Sequence, residues 1–324
     1  MTKPILLTCG DPAGIGPEVA QKAWDETRDA VPFVWIGDPR HLPLDMPFEI
    51  IDDIGQAHKT AATAMPVLRH DFANPVIAGK PDFANAQGII DVIARGVGLV
   101  KSGAACAICT SPISKSVLQI GAGFEYPGHT EYLAALDGGK DVVMMLASDQ
   151  LRVVPTTIHI PLENVPFALT ADLLERTIRI TQDALQAQFG IACPRIAIAG
   201  LNPHAGEDGR MGDQEQTLIR PLLDRLRAQG FDLRGPLPAD TMFHARARAQ
   251  YDVAICMYHD QALIPIKTLD FDTGVNVTLG LSFVRTSPDH GTAFDIAGQN
   301  AANPSSTLAA LKLAAQLGKA HDHH

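Results

Sequence analysis

The sequence predicts an α/β fold of two domains, each a mostly parallel sheet with helices on both faces. Three observations predict it. The strand-like runs 5–9, 104–109, 195–200 and 253–257 are apolar almost throughout rather than alternating, as strands buried on both faces are. Segments with a helical period lie between them: 85–102 sets Ile89, Ile93, Val97 and Val100 on one face, and 170–189 does the same with Leu174, Ile178 and Leu185. Finally, 324 residues exceed one small core, and roughly 150 residues per domain gives two. An aromatic content of 6% suits tight helix-on-sheet packing better than a sandwich of short strands.

The elements follow in order. A strand at 5–9 meets the turn Gly10-Asp11-Pro12-Ala13-Gly14-Ile15-Gly16, and Pro17 then opens a helix to residue 28, because proline suits the first helical position. A second strand spans 31–37. From Pro39 to Pro81, prolines interrupt short apolar runs and no period emerges. The helix 85–102 leads to the strand 104–109, then to the loop 110–115 and a short helix. The Gly-rich 121–129 carries the chain into the second domain. Strands are expected at 142–147 and 152–160, the latter ending at His159. Thr170 is placed as an N-cap, with Asp172 and Glu175 in the first turn of a helix reaching Phe189. The strand 195–200 runs into Asn202-Pro203-His204-Ala205-Gly206-Glu207. The helix after Gly212 carries Leu218, Leu222 and Leu226 and should kink at Pro221. The strand 253–257 ends near His259, and a last helix spans 305–317. The expected division is 1–125 with 292–324 in the first domain and 126–291 in the second.

A net charge of −10, from 26 basic and 36 acidic residues, argues against nucleic acid, which needs a basic face. An acidic chain that binds an anion must gather its cations locally. No segment approaches the roughly 18–20 apolar residues of a membrane span, and the run 5–9 is too short for a secretory core, so a cytoplasmic protein without a membrane partner is expected. The terminal His321-Asp322-His323-His324 reads as a disordered tail. The cysteine count is odd, five, in apolar runs, which opposes a disulfide framework. Cys106 and Cys109 form a Cys-x-x-Cys pair, but on a strand residues three apart face opposite ways. They read as structural thiols, and a four-thiolate metal site is excluded.

Four constellations bear on chemistry, concentrated between Tyr251 and Gly298. His159, His204 and His259 each follow an apolar run within about four residues of its end, where open α/β sheets bind ligands. Three imidazoles so placed can hold one divalent cation and leave a position for substrate. Zinc or cobalt suits imidazole best, and magnesium less. Each histidine taken alone reads as a hydrogen-bonded core or surface residue; it is the three in one topological position that suggest a metal. Lys267, Asn276 and Arg285, with His129 and Thr130, form a candidate anion site. A cation in apolar surroundings is costly unless an anion meets it, and the bland alternative is an ion pair with Asp260 or Asp270. Thr130 also fits the N-cap of the following helix. Gly14-x-Gly16 resembles part of a dinucleotide turn, but Val19 replaces the third glycine and Pro17 removes an N–H. It reads as a structural turn, with Asp11 and Glu18 as solvated or substrate-loop acids. No Walker pattern is present. The segment 289–298 is rich in small residues that let a ligand approach the backbone, and the His290 ring can stack on or bond a purine. A plain connecting loop is the alternative.

At these residues the chain resembles a known family. His290-Gly291-Thr292-Ala293-x-Asp295-Ile296-Ala297-Gly298, followed by Ala302-Asn303-Pro304, looks like the adenosine-binding loop of isocitrate and isopropylmalate dehydrogenases. The blocks at 10–18, 128–131, 201–207, 238–241 and 258–261 instead resemble the 4-hydroxythreonine-4-phosphate dehydrogenases of pyridoxine biosynthesis. The resemblance runs from Ile5 to Pro304. The segment 267–272, before Gly274, is more acidic than that family's pattern.

The resemblance implies an isocitrate/isopropylmalate dehydrogenase-like two-domain fold, and a homodimer whose shared active site lies in the interdomain cleft. It implies one divalent metal per subunit (zinc, cobalt or magnesium) on His159, His204 and His259, drawn from both subunits. Substrate contacts fall on His129, Thr130, Lys267, Asn276 and Arg285. NAD or NADP binding falls on His290, Gly291, Thr292, Ala293, Asp295, Gly298 and Asn303. The implied reaction oxidises 4-phosphooxy-L-threonine at C3 and decarboxylates the keto acid to 3-amino-2-oxopropyl phosphate, with Lys267 or Asp240 moving the proton. Two other expectations stand beside it. One is a paralogue acting on 4-phospho-threonate or 4-phospho-erythronate. The other is a metal-dependent phosphohydrolase or aldolase. A non-catalytic binding module would need neither a metal site nor a nucleotide loop.

Overall fold

The computed structural model describes residues 3–321, so the reading of the terminal tail lies outside the described residues. The strands are β1 Ile5–Thr8, β2 Phe33–Gly37, β3 Phe48–Ile50, β4 Met65–Arg69, β5 Ala107–Thr110, β6 Val143–Ala147, β7 Arg152–Thr157, β8 Arg195–Ala199, β9 Asp232–Leu237, β10 Val253–Tyr258, β11 Val275–Leu279 and β12 Val284–Pro288. The helices are α1 Gly16–Thr27, α2 Ala57–Thr60, α3 Ala86–Lys101, α4 Lys115–Ala122, α5 His129–Leu136, α6 Val165–Ala168, α7 Ala171–Ala187, α8 Arg220–Ala228, α9 Ala245–Arg248, α10 His259–Leu269 and α11 Ser305–His321. Two compact units form. One holds Met1–Val142 with Leu281–His324, the other Val143–Gly280.

In the first unit six strands run in the order β3-β4-β2-β1-β5-β12, and every pairing is parallel. The continuous apolar runs earn this placement. Leu6, Leu7, Phe33, Trp35, Ile36 and Ile108 are all fully or almost fully buried, each worth about 1.5–3 kcal/mol when removed from water. α3 presents Ile89, Ile93 and Val97 inward, as its period predicts. The segment Phe83–Lys101 has the length and the mean hydropathy (1.2) of a membrane span, so the expectation that nothing approaches one was too strong. In the fold its apolar face packs against β1, β2 and β5.

The stretch 39–81, which gave no period, holds β3, the short α2 and β4. All three β3 residues are exposed, which explains the missing signal. Asp137, buried just after α5, draws the returning chain into this unit. It accepts from Ser282 N at 2.6 Å and lies 3.1 Å from Lys101 Nζ. β12 then pairs with β5, Arg285 opposite Ile108. α5 and β12 therefore belong to the first unit, although the sequence division placed 126–291 in the second.

In the second unit the order is β11-β6-β7-β10-β8-β9. β7, β10, β8 and β9 are parallel, while β6 is antiparallel to both of its neighbours. Thr170 caps α7, accepting from Leu173 N at 3.1 Å. Where one helix kinked at Pro221 was expected, a π-turn at Glu215–Ile219 runs directly into α8, with Pro221 in the first turn of α8. α10 was not anticipated, because Pro265 lies inside it. All five cysteines are free. Cys106 precedes β5 and directs its thiol to Lys3 O at 3.2 Å, while Cys109 is buried within the strand.

Asp11 and Glu18 correct the reading of solvated acids, since both are buried. The polar turn 10–16 folds back over β5, with Asp11 N donating to Pro112 O at 2.9 Å. Asp11 Oδ1 accepts from Ala13 N at 3.1 Å. Burial pushes its carboxyl from the ordinary 3.8 up to about 6, against the opposing effect of the Ala13 bond. A raised carboxyl contributes stability that is complete below pH 3.8 and is lost as pH rises through 6. The displacement corresponds to about 3 kcal/mol. Asp11→Asn should therefore match the parent near pH 3.5 and exceed it by about that amount at pH 8 in denaturant unfolding. An advantage independent of pH would contradict this assignment.

Candidate active site

Parallel strands send their carboxyl ends to one edge, and three neighbours in the second unit each deliver a histidine there. His159 lies two residues beyond β7, His259 directly follows β10, and His204 lies in the turn after β8. β7 and β10 are in register, Tyr258 opposite Thr157, so His159 and His259 meet with ring centres 5.8 Å apart. Two imidazoles sharing a tetrahedral ion at about 2.0–2.1 Å per bond have ring centres roughly 5 Å apart, and the pair fits that arrangement. His259 Nδ1 bonds Asp260 Oδ1 at 2.7 Å. This leaves Nε2 for a ligand and supplies the carboxylate support usual behind metal-binding imidazoles. A cavity of about 260 Å³ opens beside the pair, between Ile158, Leu162, Val165 and Tyr258.

The strand expected to end at His159 stops at Thr157, and His159 adopts φ +54°. His204 has φ +52°, and Ala205, Glu207 and Asp208 are left-handed as well. Each such residue costs on the order of 1–2 kcal/mol, a cost that concentrates at functional sites. Glu215, fully buried, holds this turn. It accepts from Asn202 N at 2.8 Å and from Asn202 Nδ2 at 3.0 Å. His204 itself is exposed, and among the described residues no group of three potential ligands is gathered. The structure thus pairs His159 with His259 and leaves His204 on the neighbouring strand end.

Asn276 (β11) and Lys267 (last turn of α10) belong to the same unit. Asn276 Oδ1 is buried and lacks a hydrogen-bond partner among the described residues. Lys267 Nζ lies 5.3 Å from the centre of the Phe271 ring. Asp240 is exposed in the turn Ala239–Thr241. Asp260 and Asp270, the alternative ion-pair partners, bond His259 and Thr273.

Arg285, His129 and Thr130 stand in the first unit. Arg285 is only 3% exposed, and donates from Nε and Nη2 to Thr110 Oγ1 at 3.1 and 2.7 Å. Burial draws its pKa down to about 10. Burial, and then the charge of Arg285, hold His129 well below the ordinary histidine pKa, so its ring is neutral. Its Nε2 is buried without a partner among the described residues. Thr130 is not an N-cap: Gly128 holds that position, and Thr130 is the second residue of α5.

The segment after β12 is an irregular loop in the same unit. His290 bonds Gly291 O at 3.0 Å and approaches Thr307 Oγ1 at 3.4 Å, and burial lowers its pKa. A Cβ added at Gly291 would meet open space, so the backbone there is open to a ligand. Thr292 O accepts from Ile15 N at 3.0 Å. Ala293 and Gly298 take positive φ, +43° and +75°. Asp295 is exposed. Asn303 Oδ1 accepts from Ser305 N and Oγ at 3.0 and 2.7 Å, at the start of α11. The glycines of the turn 14–16 allow close packing: a Cβ on Gly14 would stand 2.6 Å from Thr292 O, and one on Gly16 2.5 Å from Cys9 O.

Comparison with known proteins places this α/β chain in a class of metabolic oxidoreductases. Over 321 residues the chain is 62% identical to the 4-hydroxythreonine-4-phosphate dehydrogenase of Roseobacter denitrificans, covering 99% of this chain and 98% of that one. It is 61% identical over 319 residues to the enzyme of that name from Paracoccus denitrificans, covering 97% and 98%. The crystal structure of 4-hydroxythreonine-4-phosphate dehydrogenase from Klebsiella pneumoniae superposes with a TM-score of 0.90 at 37% identity, over 98% of each chain. The model of the pyridoxal phosphate biosynthetic protein PdxA matches residues 29–314. The chain belongs to the PdxA family and is an oxidoreductase.

Sequence reasoning passed over three supporting residues. Thr110 and Glu215 gave no signal, because an ordinary strand threonine and helix glutamate look the same in sequence whatever they hold. Asp260 was weighed only as an ion-pair partner, although a carboxylate next to a candidate ligand was a usable signal. Asp260→Asn should weaken zinc or cobalt affinity by roughly 10–100-fold in metal titration of the apoprotein, with the fold intact by circular dichroism. Unchanged affinity would remove Asp260 from the site.

Proposed function

We propose that the chain oxidises 4-phosphooxy-L-threonine at C3 with NAD⁺ or NADP⁺, and that the keto acid then loses CO₂ to give 3-amino-2-oxopropyl phosphate. The active species in this reading is a homodimer with one divalent cation per subunit, held by His159, His204 and His259. The His159–His259 pair, with Asp260 behind it, is the observation that carries the proposal. Full-length similarity to enzymes named for this substrate supports it.

When bound, the cation supplies Lewis acidity at the C3 oxygen and the dinucleotide a hydride acceptor. The remaining work falls to the chain. Arg285, with its fork braced by Thr110, takes the substrate phosphate, because a buried guanidinium gains most from an anion. Neutral His129 adds a hydrogen bond without further charge. Thr130, Lys267 and Asn276 complete the substrate contacts, and Asn276 brings a buried amide oxygen without a partner among the described residues. Lys267 or Asp240 accepts the C3 hydroxyl proton. The loop at His290, Gly291, Thr292, Ala293, Asp295 and Gly298, with Asn303, takes the dinucleotide.

His204→Ala should lose bound metal and turnover together, and full activity in a metal-free variant would sink the scheme. Arg285→Ala should raise KM for the phosphorylated substrate roughly 10–100-fold, the cost of a charged hydrogen bond; an unchanged KM makes Arg285 structural. NADH formation on 4-phosphooxy-threonine should exceed that on 4-phospho-threonate, and the reverse order would reassign the substrate.

A further inference from the structure

The buried Glu18 and its neighbour Lys22 take no part in the reaction as described, yet they converge on one segment of backbone. Ile15, Glu18, Val19 and Lys22 are spaced i, i+3, i+4, i+7 and form one stripe from the residue before α1 into its second turn. Every member meets the loop that follows β12 or the segment just after it. Ile15 N donates to Thr292 O at 3.0 Å. Ile15 and Val19 pack with Ala297 and Ala302, and with Ala293 and Ile296 beside them. Glu18 Oε1 accepts from Ala302 N at 2.9 Å and from Lys22 Nζ at 3.1 Å. Lys22 Nζ donates onward to Ala302 O at 2.8 Å and Asn300 O at 3.1 Å. Ala302 is therefore gripped at both its N–H and its carbonyl, beside Asn300 in the left-handed region at φ +56°. One ammonium and one carboxylate set the far end of the loop, while Ile15 sets the near end.

We propose that Glu18 and Lys22 are positioning residues for dinucleotide binding, holding residues 292–303 in the shape that receives the ligand. This rests on the reading that the loop binds NAD or NADP. A loop so held need not be ordered at the moment of binding, and the cost of ordering it would otherwise be subtracted from affinity. Charged hydrogen bonds to backbone carbonyls are strong enough for the task.

The test uses the full-length, metal-loaded enzyme and NADH fluorescence. Lys22→Met keeps the stem and removes the donors; it should raise the NADH Kd about tenfold, the loss expected for a charged hydrogen bond. The KM for the phosphorylated substrate should stay within about twofold in that variant, since the effect is confined to the loop. Lys22→Arg should restore most of the affinity. Without dinucleotide, hydrogen exchange at the Ala302 amide should accelerate in Lys22→Met and in Glu18→Gln. His290→Ala separates the two ideas. If it weakens NADH binding while Lys22→Met does not, the positioning role is overturned and the loop assignment stands. If neither variant changes NADH affinity, both fall. A lowered Tm in Lys22→Met with unchanged NADH affinity and substrate KM would make the pair purely structural and overturn the proposal.

Discussion

The parallel pairing of β7, β10 and β8 is the constraint on which the rest of the second unit depends. Parallel strands finish at the same edge, so whatever follows each strand arrives beside whatever follows its neighbour. The register of Tyr258 with Thr157 brings His259 to His159 and leaves Asp260 to orient the imidazole. The same geometry explains the strained backbone at His159 and His204. A side chain that must turn back over a strand end, instead of continuing along it, leaves the extended region. Glu215 then satisfies the backbone and amide groups that this turn exposes.

In the first unit the governing cost is burial of charge. Arg285 sits almost fully buried on β12 and is held by Thr110, where taking a charge out of water is expensive. Burial draws down its pKa, and burial followed by the charge of Arg285 draws down that of neighbouring His129. Arg285 stays charged, while His129 is neutral and keeps a buried ring nitrogen without a partner among the described residues. Asp137 shows the same economy used structurally: it is buried, but four groups from Lys101, Lys140 and Ser282 surround it and bring the returning chain into place. Glu18 belongs to this class as well, a buried acid partnered by Lys22 and by backbone.

Much of the architecture was legible because it rests on local, repeated signals. The uninterrupted apolar runs at β1, β5, β8 and β10 mark two-sided burial, and the periods of α3 and α7 mark their inner faces. Thr170 announced its cap, and the missing third glycine after Gly16 marked a packing turn. The illegible elements lacked those signals. β3 is an exposed edge, α10 contains Pro265, and the π-turn at Glu215–Ile219 has no sequence signature. Asp11 and Glu18 read as surface acids because a carboxylate's environment is not written in its neighbours along the chain.

The sequence by itself determined the α/β class and singled out the candidate histidines and the candidate anion-site residues, since each depends on residue type and on position relative to an apolar run. Tertiary structure decided which of them meet. It paired His159 with His259, kept His204 on the adjacent strand end, and drew α5 and β12 into the first unit. It also buried Asp11 and Glu18 and gave Lys22 its hold on Ala302. The reason is physical: burial, strand register and charge partnership are set by residues tens to hundreds of positions apart, and only the folded chain brings them within bonding distance.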